Sequence, residues 1–184
     1  SGVVVAQSSM RRILAQLQLA VSSPTVTISF CGPAGAGKEH LARAVHYAGE
    51  TRVRAFVPVD CRLPTVQLSE ILRRIENAEQ EDLPIPVLRV GAVLLQHVER
   101  LPREWQIRLT KSVDLEPGPN AVRWMLASEQ NLDQMIETEQ LLGEFRDRFG
   151  VLEVTLPALR DRTADLPLLA QHALEECNVS CSKQ

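Results

Sequence analysis

Aromatic side chains are scarce in this 184-residue chain: one Tyr, two Trp and four Phe, 4% of the whole. So few rings argue against a stacking platform for single-stranded nucleic acid. An excess of positive charge is missing too. The 20 Lys and Arg are outnumbered by 23 Asp and Glu, for a formal net charge of −3. No broad basic footprint for nucleic acid is expected, and no direct contact of this chain with it. No apolar run approaches the ~20 residues of a membrane span, so no membrane partner is expected, and no secretory leader pattern is visible. Cysteine is limited to Cys31, Cys61, Cys177 and Cys181. The first two close β-branched apolar runs, where cysteine packs as a small core hydrophobe. The other two, four apart, lack the further ligands of a structural zinc site. The set fits reduced thiols and a cytoplasmic location.

What is present is the composition of a globular domain, 45% hydrophobic and 23% charged, with no internal repeat or low-complexity tract. Residues 8–21 open with Ser8 and Ser9, which are suited to N-capping, and carry Ile13, Leu14, Leu17, Leu19 and Ala20 at helical spacing. Residues 25–31 alternate and are β-branched, which predicts a strand. A Gly-rich turn follows, then a helix through Leu41, Ala42, Ala44 and Val45 that stops at Gly49. Residues 56–60 predict a second strand, and Pro58 within it predicts a sheet edge. A helix is expected over 66–78. Beyond Pro84 and Pro86, the apolar run at 92–95 suits a strand buried on both faces. A helix over 103–113, a turn at Pro117-Gly118-Pro119, strands at 122–127 and 151–155, and a helix over 164–176 capped by Thr163 complete the pattern. Strands alternating with helices predict an α/β fold: a three-layer, mainly parallel five-stranded sheet with flanking helices.

One segment carries specific chemistry. Gly32-Pro33-Ala34-Gly35-Ala36-Gly37-Lys38 has the Gly-x-x-x-x-Gly-Lys spacing of a phosphate-binding P-loop, and it joins a strand to a helix as that loop must. Glycines let backbone N–H groups converge on phosphate oxygens, and the helix start adds partial positive charge. Lys38 supplies the point charge for the β- and γ-phosphates. The next residue, in many P-loops a Ser or Thr that binds magnesium, is Glu39.

Lys38-Glu39 followed by Leu41-Ala42-Arg43-Ala44-Val45-His46-Tyr47 resembles the central AAA+ domain of bacterial NtrC-type enhancer-binding proteins, which activate sigma-54 RNA polymerase. The resemblance continues at Phe56-Val57-Pro58-Val59-Asp60-Cys61, where the family has a strand ending in Asn-Cys. It continues again at Leu156-Pro157-Ala158-Leu159-Arg160-Asp161-Arg162 and at Asp165-Leu166-Pro167-Leu168-Leu169, which are similar to the family's Leu-Pro-Pro-Leu-Arg-Glu-Arg and Asp-Ile-Pro-Leu-Leu. It spans roughly residues 3–178. It implies a P-loop AAA+ core over residues 3–163, with residues 164–184 as the first helix of a C-terminal helical lid that is otherwise truncated or absent. It further implies ATP or ADP in the cradle Gly32–Glu39, self-association into a ring, and receiver and DNA-binding domains outside this chain.

The departures from that family pattern bear on catalysis. Where the family's third strand ends in Asp-Glu, for magnesium and for water activation, this chain has Gln96-His97. Gln96 is a neutral, weak ligand that reaches the metal at best through water, so magnesium is expected to add little affinity. His97 accepts a proton near neutral pH but brings no fixed negative charge; losing a positioned base costs about 10²–10⁴-fold in rate. The family's sensor asparagine falls on Glu129. Of its two boundary arginines, the first falls on Leu142 and the second on Arg148, and a missing arginine finger removes about 10³–10⁵-fold in related phosphoryl transfers. The sigma-54-contacting signature Gly-Ala-Phe-Thr-Gly-Ala is absent from the sequence. Three functions remain open: a nucleotide-binding module with weak or no hydrolysis, an ATPase rearranged around Asp60 and His97, or an interaction domain that holds no nucleotide. Asp60 either orients water with His97, or holds His97, or caps the next loop; Glu99 is a second candidate for the missing acid. The contact residues of relatives that bind a cyclic dinucleotide are not recognisable.

Overall fold

In the computed structural model, which describes residues 8–23, 26–80, 89–112, 122–165 and 167, helices and strands alternate along the chain. They are α1 (Ser8–Val21), β1 (Ile28–Cys31), α2 (Lys38–Ala48), β2 (Ala55–Asp60), α3 (Thr65–Gln80), β3 (Val90–Gln96), α4 (Arg103–Ser112), β4 (Arg123–Ser128), α5 (Leu132–Glu137), α6 (Gly143–Phe149) and β5 (Leu152–Thr155). The sheet order is β2-β3-β4-β1-β5, and every neighbouring pair is parallel. The strand residues 92–95 are fully buried, as their continuous apolar run requires. Pro58 lies on β2, an edge strand, where a missing N–H leaves no ladder partner unsatisfied on the open side.

Alternation along the strands divides the core in two. Val93, Leu95, Trp124 and Leu126 point to one face, against Leu68 and Leu72 of α3, Leu109 of α4, Met135 of α5 and Phe145 and Phe149 of α6. Ala92, Leu94, Met125 and Ala127 point to the other, against Met10, Ile13 and Leu17 of α1 and Leu41, Ala42 and Val45 of α2. This is the three-layer arrangement. Cys31 and Cys61 are free and buried in it, and burial pushes the Cys61 thiol up to about 12.

Several details differ from the sequence expectation. All five strands are parallel rather than mainly so. β1 begins at Ile28, not Thr25, and Leu19 is exposed while Met10 and Ala20 complete the buried stripe of α1. Helices α5 and α6 were not expected at all. They have six and seven residues, too short for a helical period to show, and tertiary contacts make them. Asn131 caps α5 by accepting from Gln134 N at 2.7 Å, and Phe145 and Phe149 stack at 4.3 Å. Thr163 opens a 3-10 turn over Thr163–Asp165. The rest of the 164–176 helix, Cys177, Cys181, Pro84, Pro86 and the 117–119 turn lie outside the described residues.

Two buried polar side chains tie the layers together. Arg123, 4% exposed at the start of β4, donates to the carbonyls of Ala20 at 3.0 Å and Ser23 at 2.7 Å where α1 ends. His46 of α2, 1% exposed, donates from Nε2 to Arg54 O at 3.0 Å; its Nδ1 is buried without a partner. Gly91 makes room for that ring, because a Cβ there would lie 2.9 Å from His46 Cε1 and 2.6 Å from Arg54 Cβ. Burial lowers the His46 pKa below its usual 6.5, with Arg123 adding to the effect and the Arg54 carbonyl opposing it. The unfolded chain therefore binds more protons between the depressed folded value and 6.5. Stability is full above that window and is lost as pH falls through it. A His46→Gln variant is expected to show a shallower loss of melting temperature between pH 7.5 and pH 5 than the parent. Parallel melting curves across that range would refute it.

Candidate functional site

The C-terminal ends of the parallel strands form a cleft of about 410 Å³. Its lining comes from the loop and helix start at 34–40, from Arg62 after β2, from Gln96 and His97 at the end of β3, and from Ala127, Ser128 and Glu129 at the end of β4. The topology explains the convergence, since each parallel strand delivers its following loop to the same edge.

The cradle itself is built on glycine. Gly32 has φ 151°, and a Cβ there would lie 2.6 Å from Leu156 O, so only glycine lets the loop leave β1 beside the chain after β5. Gly37, at φ 91°, is the N-cap of α2 and turns its first N–H groups toward the cleft. Lys38 Nζ donates to the carbonyls of Gly32 and Pro33, the latter at 2.9 Å. Burial draws its pKa below the usual lysine value, while Glu129, Cys31 and Glu99 act the other way.

Glu39 and Gln96, 57 positions apart, meet in the cleft. Gln96 Nε2 donates to Glu39 Oε2 at 2.7 Å, and Arg43 donates to Glu39 Oε1 at 2.7 and 2.9 Å. Both oxygens of the carboxylate are thus engaged by donors. Among the described residues no three His, Cys, Asp or Glu side chains gather to hold a metal. A hard cation prefers free carboxylate oxygens in near-octahedral array, and these residues do not fit magnesium.

His97 follows β3 in the left-handed region, φ 54° and ψ 50°, which is uncommon outside glycine and aims its ring into the cleft wall. Its Nδ1 lies 3.3 Å from Glu99 Oε1. A carboxylate only accepts, so Nδ1 carries the proton and Nε2 is the basic nitrogen. The partner of His97 is therefore Glu99, not Asp60 as one sequence reading had it. Asp60 instead accepts from the backbone N–H of Arg62 at 2.9 Å and from its guanidinium at 2.7–3.2 Å, capping the loop after β2. Those bonds from Arg62 hold the Asp60 carboxyl below its usual range. Sequence reasoning passed over Arg62 because nothing local marks it; only the return of β2 to the sheet edge brings it to the cleft.

Arg148, the other candidate, lies on the last turn of α6 and does not line the cleft, and its Nε is buried without a partner. Leu142 is the N-cap of α6, packed on the core, with its N–H donating to Gln106 Oε1. Arg162, 6% exposed, braces the glycine loop from behind, donating to Ala36 O at 2.5 Å and reaching Met10 Sδ at 3.6 Å.

The family described as the sigma-54 interaction domain matches residues 3–73. The DNA-binding transcriptional activator HyfR of Escherichia coli K12 is 30% identical, over 93% of this chain and 28% of its own length. The DNA-binding transcriptional regulator NtrC of Azospirillum brasilense is 27% identical, over 94% of this chain and 38% of its own. The chain thus spans roughly a quarter to two-fifths of these relatives. Two solved structures share the fold. NtrX from Brucella abortus in complex with ATP has a TM-score of 0.72 at 23% identity, covering 96% of this chain and 43% of that one. The P-loop NTPase domain of a sigma-54 activator from E. coli has a TM-score of 0.61 at 21% identity, covering 84% of this chain and 99% of that one.

Proposed function

Because the chain is homologous to the sigma-54 interaction domain of NtrC-type activators, we propose that it is the nucleotide-binding AAA+ module of a bacterial transcriptional regulator, one that binds ATP or ADP and hydrolyses weakly or not at all. The carrying observation is the contrast within one cleft. The cradle from Gly32 to Lys38 keeps its form, while the end of β3 offers Gln96, whose amide is bonded to Glu39, in place of a carboxylate. Residues 3–163 form the core on this reading, residues 164–184 begin a lid, and further regulator domains and the bacterial cytoplasm complete the setting. NtrX, of the same fold, was solved with ATP and with ADP. Calorimetric titration with ADP and ATP, beside a phosphate-release assay, tests the proposal. Micromolar binding with little turnover is expected; no binding up to millimolar would remove nucleotide from the account.

A second reading rests on the His97–Glu99 contact, which keeps an acid–base pair at the end of β3. There His97 Nε2 would take the proton of an attacking water, with Glu99 rather than Asp60 orienting the ring. Phosphate release that is robust in the parent and lost in His97→Ala would favour it over weak hydrolysis. Arg148, outside its own cleft, would act only on a neighbouring copy in a ring.

The Glu39–Gln96 bond yields its own prediction. Gln96→Glu places an oxygen where the amide now stands, 2.7 Å from Glu39 Oε2, so two carboxylates face each other. In magnesium-free buffer at pH 8 the melting temperature is expected to fall by about 2–4 °C, the equivalent of roughly 1 kcal/mol at this size. Millimolar magnesium restores it, because the new pair of carboxylates accepts a hard cation. A variant that melts like the parent with and without magnesium would contradict this geometry.

A further inference from the structure

We propose that Arg62 is a phosphate-binding residue of the cleft, supplying from the protein the positive charge that a magnesium ion supplies in a metal-assisted site. The inference rests on the reading that the cleft takes a nucleotide, and it names how that ligand is held.

Three observations carry it. The first is placement. The cradle follows β1 and Arg62 follows β2, with β4 and β3 between them in the sheet. Lys38 and Arg62 therefore line one cleft from loops that two strands separate, so phosphates held in the cradle share that cleft with the guanidinium. The second is the state of the metal position. Glu39 has both oxygens engaged and Gln96 is neutral, so the side chains there offer a cation little. A polyphosphate still needs positive charge at its far end. The third is the guanidinium itself. Asp60 takes its side edge, Nε and Nη2, at 3.0–3.2 and 2.7 Å. The end edge formed by Nη1 and Nη2 remains for a second bidentate acceptor. Planar forks of this kind match phosphate oxygens, and the Asp60 bonds hold this one in place. The side chain is 60% exposed, so it reaches an incoming ligand without rearranging the core.

Titration of the whole chain with ADP, inorganic pyrophosphate and adenosine, each with and without magnesium, tests the proposal. Arg62→Ala is expected to weaken ADP and pyrophosphate about tenfold or more while leaving adenosine unchanged, because only the phosphates meet the fork. Magnesium is expected to change the parent's affinity by less than about threefold. The position is exposed and Asp60 keeps its bond from the Arg62 backbone N–H, so the variant is expected to stay folded at the assay temperature, which a thermal melt checks, and loss of folding does not explain the result. Equal ADP affinity in parent and Arg62→Ala would overturn the role of Arg62 and leave nucleotide binding standing. A tenfold gain on adding magnesium to the parent would overturn the substitution of arginine for metal. A parent that binds neither ADP nor pyrophosphate would overturn both this inference and the function beneath it.

Discussion

Lys38→Ala is expected to weaken ADP binding by about a hundredfold or more, the largest effect of any single change in the cleft. The ammonium sits at the start of α2, where the helix dipole and the loop N–H groups already favour an anion. It now donates to the carbonyls of Gly32 and Pro33, and those bonds hold it over the cradle. Turning to a phosphate exchanges two neutral acceptors for charged ones. Charge-assisted bonds of this kind are worth about 1.5–3 kcal/mol each, and two of them convert to roughly a hundredfold in affinity. Burial favours losing the charge, as the lowered Lys38 pKa records, so the free protein gives up little stability in the variant. Lys38→Arg is not expected to rescue, because the longer planar fork does not sit where a point charge fits. Calorimetry on parent and both variants checks the prediction. Affinity within about threefold of the parent would mean that the cradle is vestigial.

Arg123→Leu is expected to lower stability by about 3–5 kcal/mol, the largest effect on folding. Its side chain lies beneath the end of α1, where the last carbonyls carry the negative end of the helix dipole. Leucine fills the space but offers no donor, leaving the Ala20 and Ser23 carbonyls without their bonds to Arg123. At roughly 2–4 °C for each kcal/mol in a chain of this size, the melting temperature drops by about 6–20 °C. Burial lowers the Arg123 pKa, yet arginine starts so high that the side chain stays charged at working pH. The loss is therefore expected to be the same at pH 6 and pH 8, unlike that at His46. Thermal melts followed by circular dichroism decide it. A drop under about 2 °C would show that water satisfies those carbonyls as well as the guanidinium does.

The two positions differ in how they were legible. Lys38 belongs to a local pattern: the glycine spacing, a strand before it and a helix after it. The spacing alone marks these glycines, although at Gly32 it is the close approach of Leu156 that requires one. Arg123 looked like one charged residue in an apolar strand, and its partners lie about a hundred positions away. That Gln96 is neutral is legible in the sequence, but that its amide binds Glu39 is visible only when α2 and β3 share an edge. His97 illustrates the same limit. Among the acids considered as its partner, Glu99 lies two positions along the chain, and the left-handed turn at His97 brings the two side chains together.

The sequence alone determined the layers of this protein and the place of its glycine loop. Alternating apolar strands, helical periodicity and a glycine loop all act over short separations, where backbone sterics and hydrophobic period decide the outcome. Tertiary structure decided the rest. Short α6 exists because Phe149 meets Trp124 and stacks on Phe145, α5 because Leu132 and Met135 join the same core, and Arg62 reaches the cleft because β2 ends at the same edge of the sheet as its neighbours. Asp60 belongs to Arg62, and His97 to Glu99. Those two pairs are near in sequence and follow from the turn after each strand, whereas the Glu39–Gln96 bond depends on which loops a parallel sheet gathers at one edge, and no local spacing encodes that.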